Sequence, residues 1–443
     1  MPKTDAHVLE VILRKCRDVT SFRSLIGLLI CEIDTKLSEQ LTAVLEHPNF
    51  MALEGSWRGV QTTVLAGEES RELKFKIFDM SWDEVSNDLN SATDDQNSVL
   101  YRNIGLKELE TSGGEPFGIV MIDHGLSMDV DGLYDECFTA QLICGLAESC
   151  SCPFIMGVGK DFFGEKDAAW MTDHRRIKSI LSSGDYEGWQ RLRNLSNARF
   201  LGLVWPQVLV RGRYQDVDAG FPFYQWPSDS SGLWANGGYA FLQTVVAEFN
   251  RIAWFGFLKL ISDQSGVGAV VEPLTSLRPN GTNNRFCGLT RATLETGQFL
   301  SEAGFIPMCE STKSGACYFI GNRSVGDCKF NPTQEIVMQI QSVLIACRLV
   351  HYLKVQLRGL IGQIKTPSEC ELILQTWLKK YCSNVGQASA EVMASYPLED
   401  AQVRVSEAPG GSARFTCEIL VKPQYQIDHS ITEINLSTSL GTG

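Results

Sequence analysis

The chain has 443 residues, 44% hydrophobic and 21% charged, values of an ordinary globular protein that argue against disorder. A net charge of −13 disfavours non-specific binding to nucleic acid or anionic membranes, while leaving room for a local basic patch. The length suits two or three domains with a sizeable core, and no uncharged apolar run reaches the roughly 18 residues of a membrane span.

In chain order, residues 5–46 read as two helices, one striped by Val8, Leu9, Ile12 and Leu13, the other by Leu25, Leu28, Leu29, Ile33, Leu37, Leu41 and Leu45. Such helices ahead of a core dock on a partner or pack on their own domain. The segment 47–59 is expected to close the second helix and lead into a strand at 60–65. Within it Pro48 can open a turn, Phe50, Leu53 and Trp57 recur at helical spacing around a buried turn, and Gly55 and Gly59 permit breaks. The alternation of Glu72 to Phe78 predicts a half-buried strand, and the acidic stretch Asp83 to Asp95 a solvated helix and loop.

From about 116 to 330, short apolar runs (Phe117 to Ile122, Phe154 to Val158) alternate with helical stretches near 131–149 and 185–196, which predicts a mixed α/β core with some parallel pairing. Residues 214–232 read as a long ordered loop, Leu233 to about Leu260 as a helix, and Thr333 to Ile361 as one helix about 40 Å long. On that last helix His351, Lys354 and Arg358 share one basic face, either simply solvated or a cationic rail for an acidic partner. Alternation at 401–407 and 412–422 around Pro409-Gly410-Gly411 predicts a β-hairpin, with Ile431 to Leu436 as a third strand. Such a hairpin needs further strands or a packing surface, and its edges can template strands from other chains. The fold class is therefore α/β (α+β): N-terminal helices over residues 1–58, a mixed-sheet core over 59–400, and a C-terminal β module over 401–443.

Fourteen cysteines are scattered without repeated C-x-x-C pairs, and Cys144, Cys347 and Cys417 lie in apolar runs. With no basic, apolar leader at the start, a reduced cytoplasmic setting is expected. Gly157-Val-Gly159-Lys160 superficially suggests a phosphate loop, but Phe154 and Asp161 occupy the positions where a glycine and a hydroxyl are needed. Asp123, His124 and Ser127 lack a nucleophile elbow, and Asp123, Asp129 and Asp131 lack calcium-loop spacing. A structured loop with capping carboxylates is expected there instead. His351 has no carboxylate at i+3 or i+4 and reads as a structural histidine. No catalytic residue, cofactor site or metal site emerges.

The string His47-Pro-Asn-Phe-Met-Ala-Leu-Glu-Gly-Ser-Trp-Arg-Gly59 closely resembles a signature of the large sheath subunit of bacterial type VI secretion systems, resting on Phe50, Leu53, Glu54, Trp57, Arg58 and Gly59. Further motifs follow in that family's order over roughly residues 35–435: Pro116-Phe-Gly-Ile119, Cys152-Pro-Phe-Ile155, Phe200 to Arg211, Leu233-Trp-Ala-Asn236, Tyr239-Ala-Phe241, Gly304-Phe-Ile-Pro307, Arg348 to Lys354 and Pro423 to Ile427. The chain departs from the pattern at Met121 to Ser127 and in the last strand.

The resemblance implies a structural, non-enzymatic protein of the bacterial cytoplasm within a membrane-anchored apparatus. It would pair with a small sheath subunit, stack with neighbouring sheath protomers around an inner tube ring protein, start from a baseplate, and be recycled by a disassembly ATPase. It further implies that the strands carrying Val403, Arg404, Val405, Phe415, Cys417, Ile419 and Val421 join an intersubunit sheet. His351, Lys354 and Arg358 are the expected tube-facing residues, and the helices at 5–46 the expected dock for the small subunit. A phage-tail-like sheath of another contractile device and a cytoplasmic α/β enzyme are the alternatives.

Overall fold

The computed structural model describes residues 18–68, 70, 72–128, 133–164, 171, 173–216, 221–225, 232–259, 270–271, 288–310, 317–328, 332–360, 366–383, 394–407, 415–423 and 434–439. The described residues fall into two compact units. One is drawn from Met1–Arg58, Leu209–Trp234 and Thr275–Asn283, the other from Gly59–Val208, Ala235–Leu274 and Asn284–Gly443.

In the first unit, helix α1 (Val19–Leu45) starts at a capping box in which Asp18 accepts from the Ser21 amide and the Ser21 hydroxyl returns the contact. The helix expected over residues 5–17 lies outside the described residues. Helix α1 buries only Ser38, Thr42 and Leu45, spaced by four and three along one face. Helix α2 (Pro48–Ala66) follows with Pro48 in its first turn.

Here the sequence reading is corrected, because 60–65 is helix and not strand. The β-branched residues Thr62 and Thr63 satisfy their hydroxyls on the Gly59 carbonyl (2.8 and 3.0 Å), and Asn250 caps the Ala66 carbonyl at 2.7 Å. Tertiary contacts thus override a local strand preference. A Cβ on Gly59 would sit 2.3 Å from the Tyr239 ring, so this glycine permits a close helix approach.

Within the region expected as a long ordered loop, β5 (Gln215–Asp216) pairs with β6 (Phe223–Tyr224), and at its flanks β4 (Val208–Arg211) pairs with β7 (Leu233–Ala235). The helix expected from Leu233 begins only at Gly238.

The second unit is organised by a mixed six-stranded sheet of order β1-β2-β3-β9-β10-β8. Strands β1 (Val120–Leu126), β2 (Phe154–Val158), β3 (Leu201–Trp205) and β9 (Ile306–Glu310) run parallel, and β10 (Cys317–Phe319) pairs antiparallel with both β9 and β8 (Val270–Val271). Strands β2 and β3 are uninterrupted apolar runs because both faces are covered. Phe154, Met156 and Val158 join a core with Ile143, Cys144 and Ala147 of helix α4 (Glu136–Cys150). On the other face, Ile155 and Gly157 meet Gly238 and Asn236 at the start of helix α7 (Gly238–Ile252).

Two further expectations change. The segment 73–80 is extended but pairs with no described strand, and its polar residues are the ones engaged: Lys76 bonds Glu108 at 2.7 Å and Lys74 pairs with Glu115. The expected single helix at 333–361 is broken into α9 (Pro332–Val337) and α10 (Ile340–Leu360). Residues 338–340 are drawn instead to residues 322–324, with Ser324 donating to the Met338 carbonyl and Ile340 to the Asn322 carbonyl (2.7 and 2.8 Å).

The basic face of α10 is also corrected. His351 is buried at 7% exposure against the backbone of Cys150 and Ser151. Arg358 donates to the Leu109 and Thr111 carbonyls at the end of a π-helical segment (Arg102–Glu110), where a cation suits the helix dipole. Burial pulls Lys354 below its ordinary range, with Glu110 opposing. His351 and Arg358 contact the chain's own backbone, while Lys354 and Arg358 remain half-exposed.

Burial, reinforced by Lys354, lowers the His351 pKa to about 4, against the opposing Cys150 and Ser151 backbone. The folded state therefore binds fewer protons than the unfolded one between about pH 6.5 and 4. The associated stability is complete above pH 6.5 and is lost as pH falls through 4, amounting to about 3 kcal/mol. Urea unfolding at pH 7.0, 5.5 and 4.5 should show this loss in the parent chain, and His351→Gln should flatten it. An identical pH slope in both would overturn the assignment.

Candidate functional site

The signature helix α2 carries an ionic cluster flanked by exposed apolar residues. Toward the interior of the first unit, Glu54 anchors an ionic cluster. Arg211, at the end of the apolar strand β4 and 2% exposed, grips it through Nε and Nη2 at 2.7 and 2.9 Å. Arg58, one turn along α2, adds a third bond at 2.7 Å and also donates to the Tyr214 hydroxyl at 2.9 Å. The Arg211 guanidinium lies 4.2 Å from the Tyr214 ring centroid and also bonds the Gly212 carbonyl and the Gln225 side chain. Burial pushes the Glu54 carboxyl up, but the Arg211 and Arg58 hydrogen bonds outweigh it and hold it below the ordinary range.

The apolar residues of α2 overturn the expected buried turn. Phe50, Leu53 and Trp57 are 38%, 58% and 58% exposed. They share the first unit with Leu28, Ile33, Leu37 and Leu41 of α1, likewise exposed. Along the stripe read on α1, Leu45 is buried and Leu25 and Leu29 are half-buried, while Leu28, Ile33, Leu37 and Leu41 are exposed. Clustered exposed apolar residues are a feature of contact surfaces.

At the chain's end, β11 (Leu398–Glu407), β12 (Phe415–Pro423) and β13 (Ile434–Ser439) form an antiparallel sheet in that order. Val403 opposes Ile419, Val405 opposes Cys417, and Ala401 opposes Val421, one largely buried apolar face. Arg404 and Glu418 pair on the exposed face. Phe415 lies opposite Glu407 at the hairpin end. The third strand is set later than expected, and the turn 408–414, Ile431 and residues 424–427 lie outside the described residues. Helix α11 (Pro367–Leu378) packs along β11.

The catalytic readings resolve into structural roles. Asp123 and His124 lie in β1, where the sequence suggested a loop. Asp123 accepts from the Tyr239 hydroxyl at 2.8 Å, and the His124 ring stacks on Trp82 with centroids 4.0 Å apart. Glu136 takes the Ser127 amide at 2.6 Å and sits 3.2 Å from His124 Nε2, near enough for attraction but not aligned as a hydrogen bond. A Cβ on Gly157 would strike Asn236 at 2.4 Å, and one on Gly159 would meet the Leu126 carbonyl at 2.9 Å, so both glycines serve close packing. Asp129 and Asp131 lie outside the described residues. The described cysteines are free thiols, with burial raising Cys347 and Cys417 to about 12 and raising Cys144 as well.

Sequence reasoning missed the pairing of Glu54 with Arg211, 157 positions apart. The available signal was a charged residue ending an apolar strand, which needs a buried counterion. It also missed Glu371 and Gln375 of α11, for which no local signal exists. Removing one partner of a buried pair costs about 3 kcal/mol or more, so Glu54→Ala should lower the urea midpoint correspondingly. A change under about 0.5 kcal/mol, the level of an ordinary surface substitution, would contradict that reading.

Comparison with known proteins places these elements in a family. Residues 28–326 match the profile described as the EvpB/VC_A0108 tail sheath N-terminal domain, and residues 330–440 match the EvpB/VC_A0108 tail sheath gpW/gp25-like domain. The chain is 25% identical over 434 residues to the type VI secretion system sheath protein TssC1 of Pseudomonas aeruginosa, covering 93% of this chain and 85% of that one. Distant likenesses are found in crystal structures of sheath tail proteins from Desulfitobacterium hafniense (TM-score 0.37, 8% identity) and Listeria innocua (TM-score 0.29, 9% identity). They cover 73% and 69% of this chain, which spans 57% and 60% of theirs. Among the described residues no helix is long and apolar enough to cross a membrane. The chain belongs to the EvpB/VC_A0108 tail sheath family and is a structural subunit of a contractile sheath.

Proposed function

We propose that this chain is the large subunit of a type VI secretion sheath, that the exposed apolar ridge of α1 and α2 docks the small sheath subunit, and that its C-terminal sheet is shared with neighbouring protomers. The uncovered stripe through Leu37, Leu41, Leu53 and Trp57 carries the reading, because a soluble monomer has no reason to expose so much apolar surface. The named relative from Pseudomonas aeruginosa supports the secretion setting. Residues 1–58 then serve docking, 59–400 form the rigid body, and 401–443 the flexible joint.

The mechanics follow from the parts. Heterodimers stack around an inner tube ring protein from a baseplate. A shared hydrogen-bonded sheet keeps subunits linked while rigid bodies rotate. Contraction releases a metastable packing into one that buries more surface. A disassembly ATPase resets the contracted polymer, so this chain performs no chemistry and needs no cofactor. Tube contact is assigned to the half-exposed Lys354 and Arg358 and not to His351, which is buried. The setting is the bacterial cytoplasm, beside a membrane-anchored apparatus.

The test is co-expression with the small subunit, affinity purification and negative-stain microscopy. The parent pair should yield hollow tubes. Leu37→Glu with Trp57→Glu should reduce the co-purified small subunit at least about tenfold, the cost of burying two charges in an apolar contact, with unchanged far-ultraviolet circular dichroism. Undiminished co-purification would sink the docking assignment, and tubes from this chain alone would favour a one-component sheath.

A further inference from the structure

A β-strand offers hydrogen-bonding groups on two edges, and β11 uses one of them for β12. Residues 401, 403 and 405 direct their N–H and C=O groups to the other edge, as the period of two requires. Among the described residues the sheet order places no strand there. Side chains of α11 occupy it instead. Gln375 donates through Nε2 to the Ala401 carbonyl at 2.6 Å and accepts the Val403 amide on Oε1 at 2.9 Å. Its amide supplies one donor and one acceptor to one strand edge, as a peptide group of a neighbouring strand would. Glu371, one helical turn earlier, accepts the Val405 amide at 3.1 Å. At the strand's start, Cys382 bridges Leu398 in parallel, and Ser383 donates to the Leu398 carbonyl at 3.0 Å. Cys370, Leu374 and Leu378 are buried and fix α11 in place, so Glu371 and Gln375 are held at a set reach and register.

We propose that Gln375 and Glu371 are specificity determinants of assembly. They close the β11 edge to strand addition, so that a strand from a neighbouring sheath protomer can join only on the side away from α11. The consequence for assembly rests on the shared-sheet reading above, whereas the closure is a property of the single chain. An open edge on both sides would let copies pair indiscriminately, the ordinary hazard of exposed strands. A sheet open on one side imposes a single order of addition, which a helical polymer with one repeat requires.

The experiment is residue-resolved hydrogen exchange on the full chain, comparing the parent with Gln375→Met/Glu371→Ala and with Gln375→Glu. In the double variant the Val403 and Val405 amides should exchange about tenfold faster, the loss of one net hydrogen bond each, while amides at 417–421 stay unchanged. At raised concentration the same variant should form β-rich oligomers that protect Val403 and Val405 again. Gln375→Glu keeps the acceptor and should leave Val403 protected. If the double variant also loosens residues 417–421, the comparison of Gln375→Met with Gln375→Glu decides on the Val403 amide alone. Unchanged exchange at Val403 and Val405, or a double variant as monodisperse as the parent, would overturn the closure. Failure of the shared-sheet reading shows separately, as no new protection on the β13 side when the parent assembles.

Discussion

A charged guanidinium cannot stay in a protein interior without a counterion, and Arg211 is almost fully buried. Its need for Glu54 joins a strand to a helix far away in sequence and makes one unit of two separate stretches of chain. Arg58, Tyr214 and Gln225 complete the shell, so every polar atom brought inside by that pairing has a partner. Phe50, Leu53 and Trp57 stay substantially exposed on the same helix. The surface on which the assembly reading rests thus flanks an ionic anchor.

The same economy appears at the two ends of the second unit. Its core is a parallel sheet covered on both faces, rigid by packing, with His124, Asp123 and Glu136 spent on stacking and hydrogen bonds. The C-terminal sheet packs Val403, Cys417, Ile419 and Val421 on one buried face. One edge is tied down by side chains of α11 and the other carries β13. A body that resists deformation and a joint that can exchange partners are what a contracting polymer needs.

Much of this was legible in the chain. The apolar runs at 154–158 and 201–205, the helix at 136–150 and the hairpin at 401–422 follow from periodicity, because burial and local geometry there demand the same residues. The ordered motifs indicated the family without any structure. Where reading failed, long-range contacts had overruled local preference. Thr62 and Thr63 look like strand residues until the distant Asn250 and Tyr239 engage the helix at Ala66 and Gly59, and the segment from Thr333 looks like one helix until residues 322–324 claim its backbone at 338–340.

The sequence by itself determined the class of the protein and which stretches alternate or stripe, since these depend on residue identity and spacing along the chain. Only the tertiary structure decided which residues of a stripe are covered and which are left bare. It buried His351 and left the signature aromatics exposed. Burial and the pairing of distant charges are set by neighbours remote in sequence, and no local pattern encodes who those neighbours are.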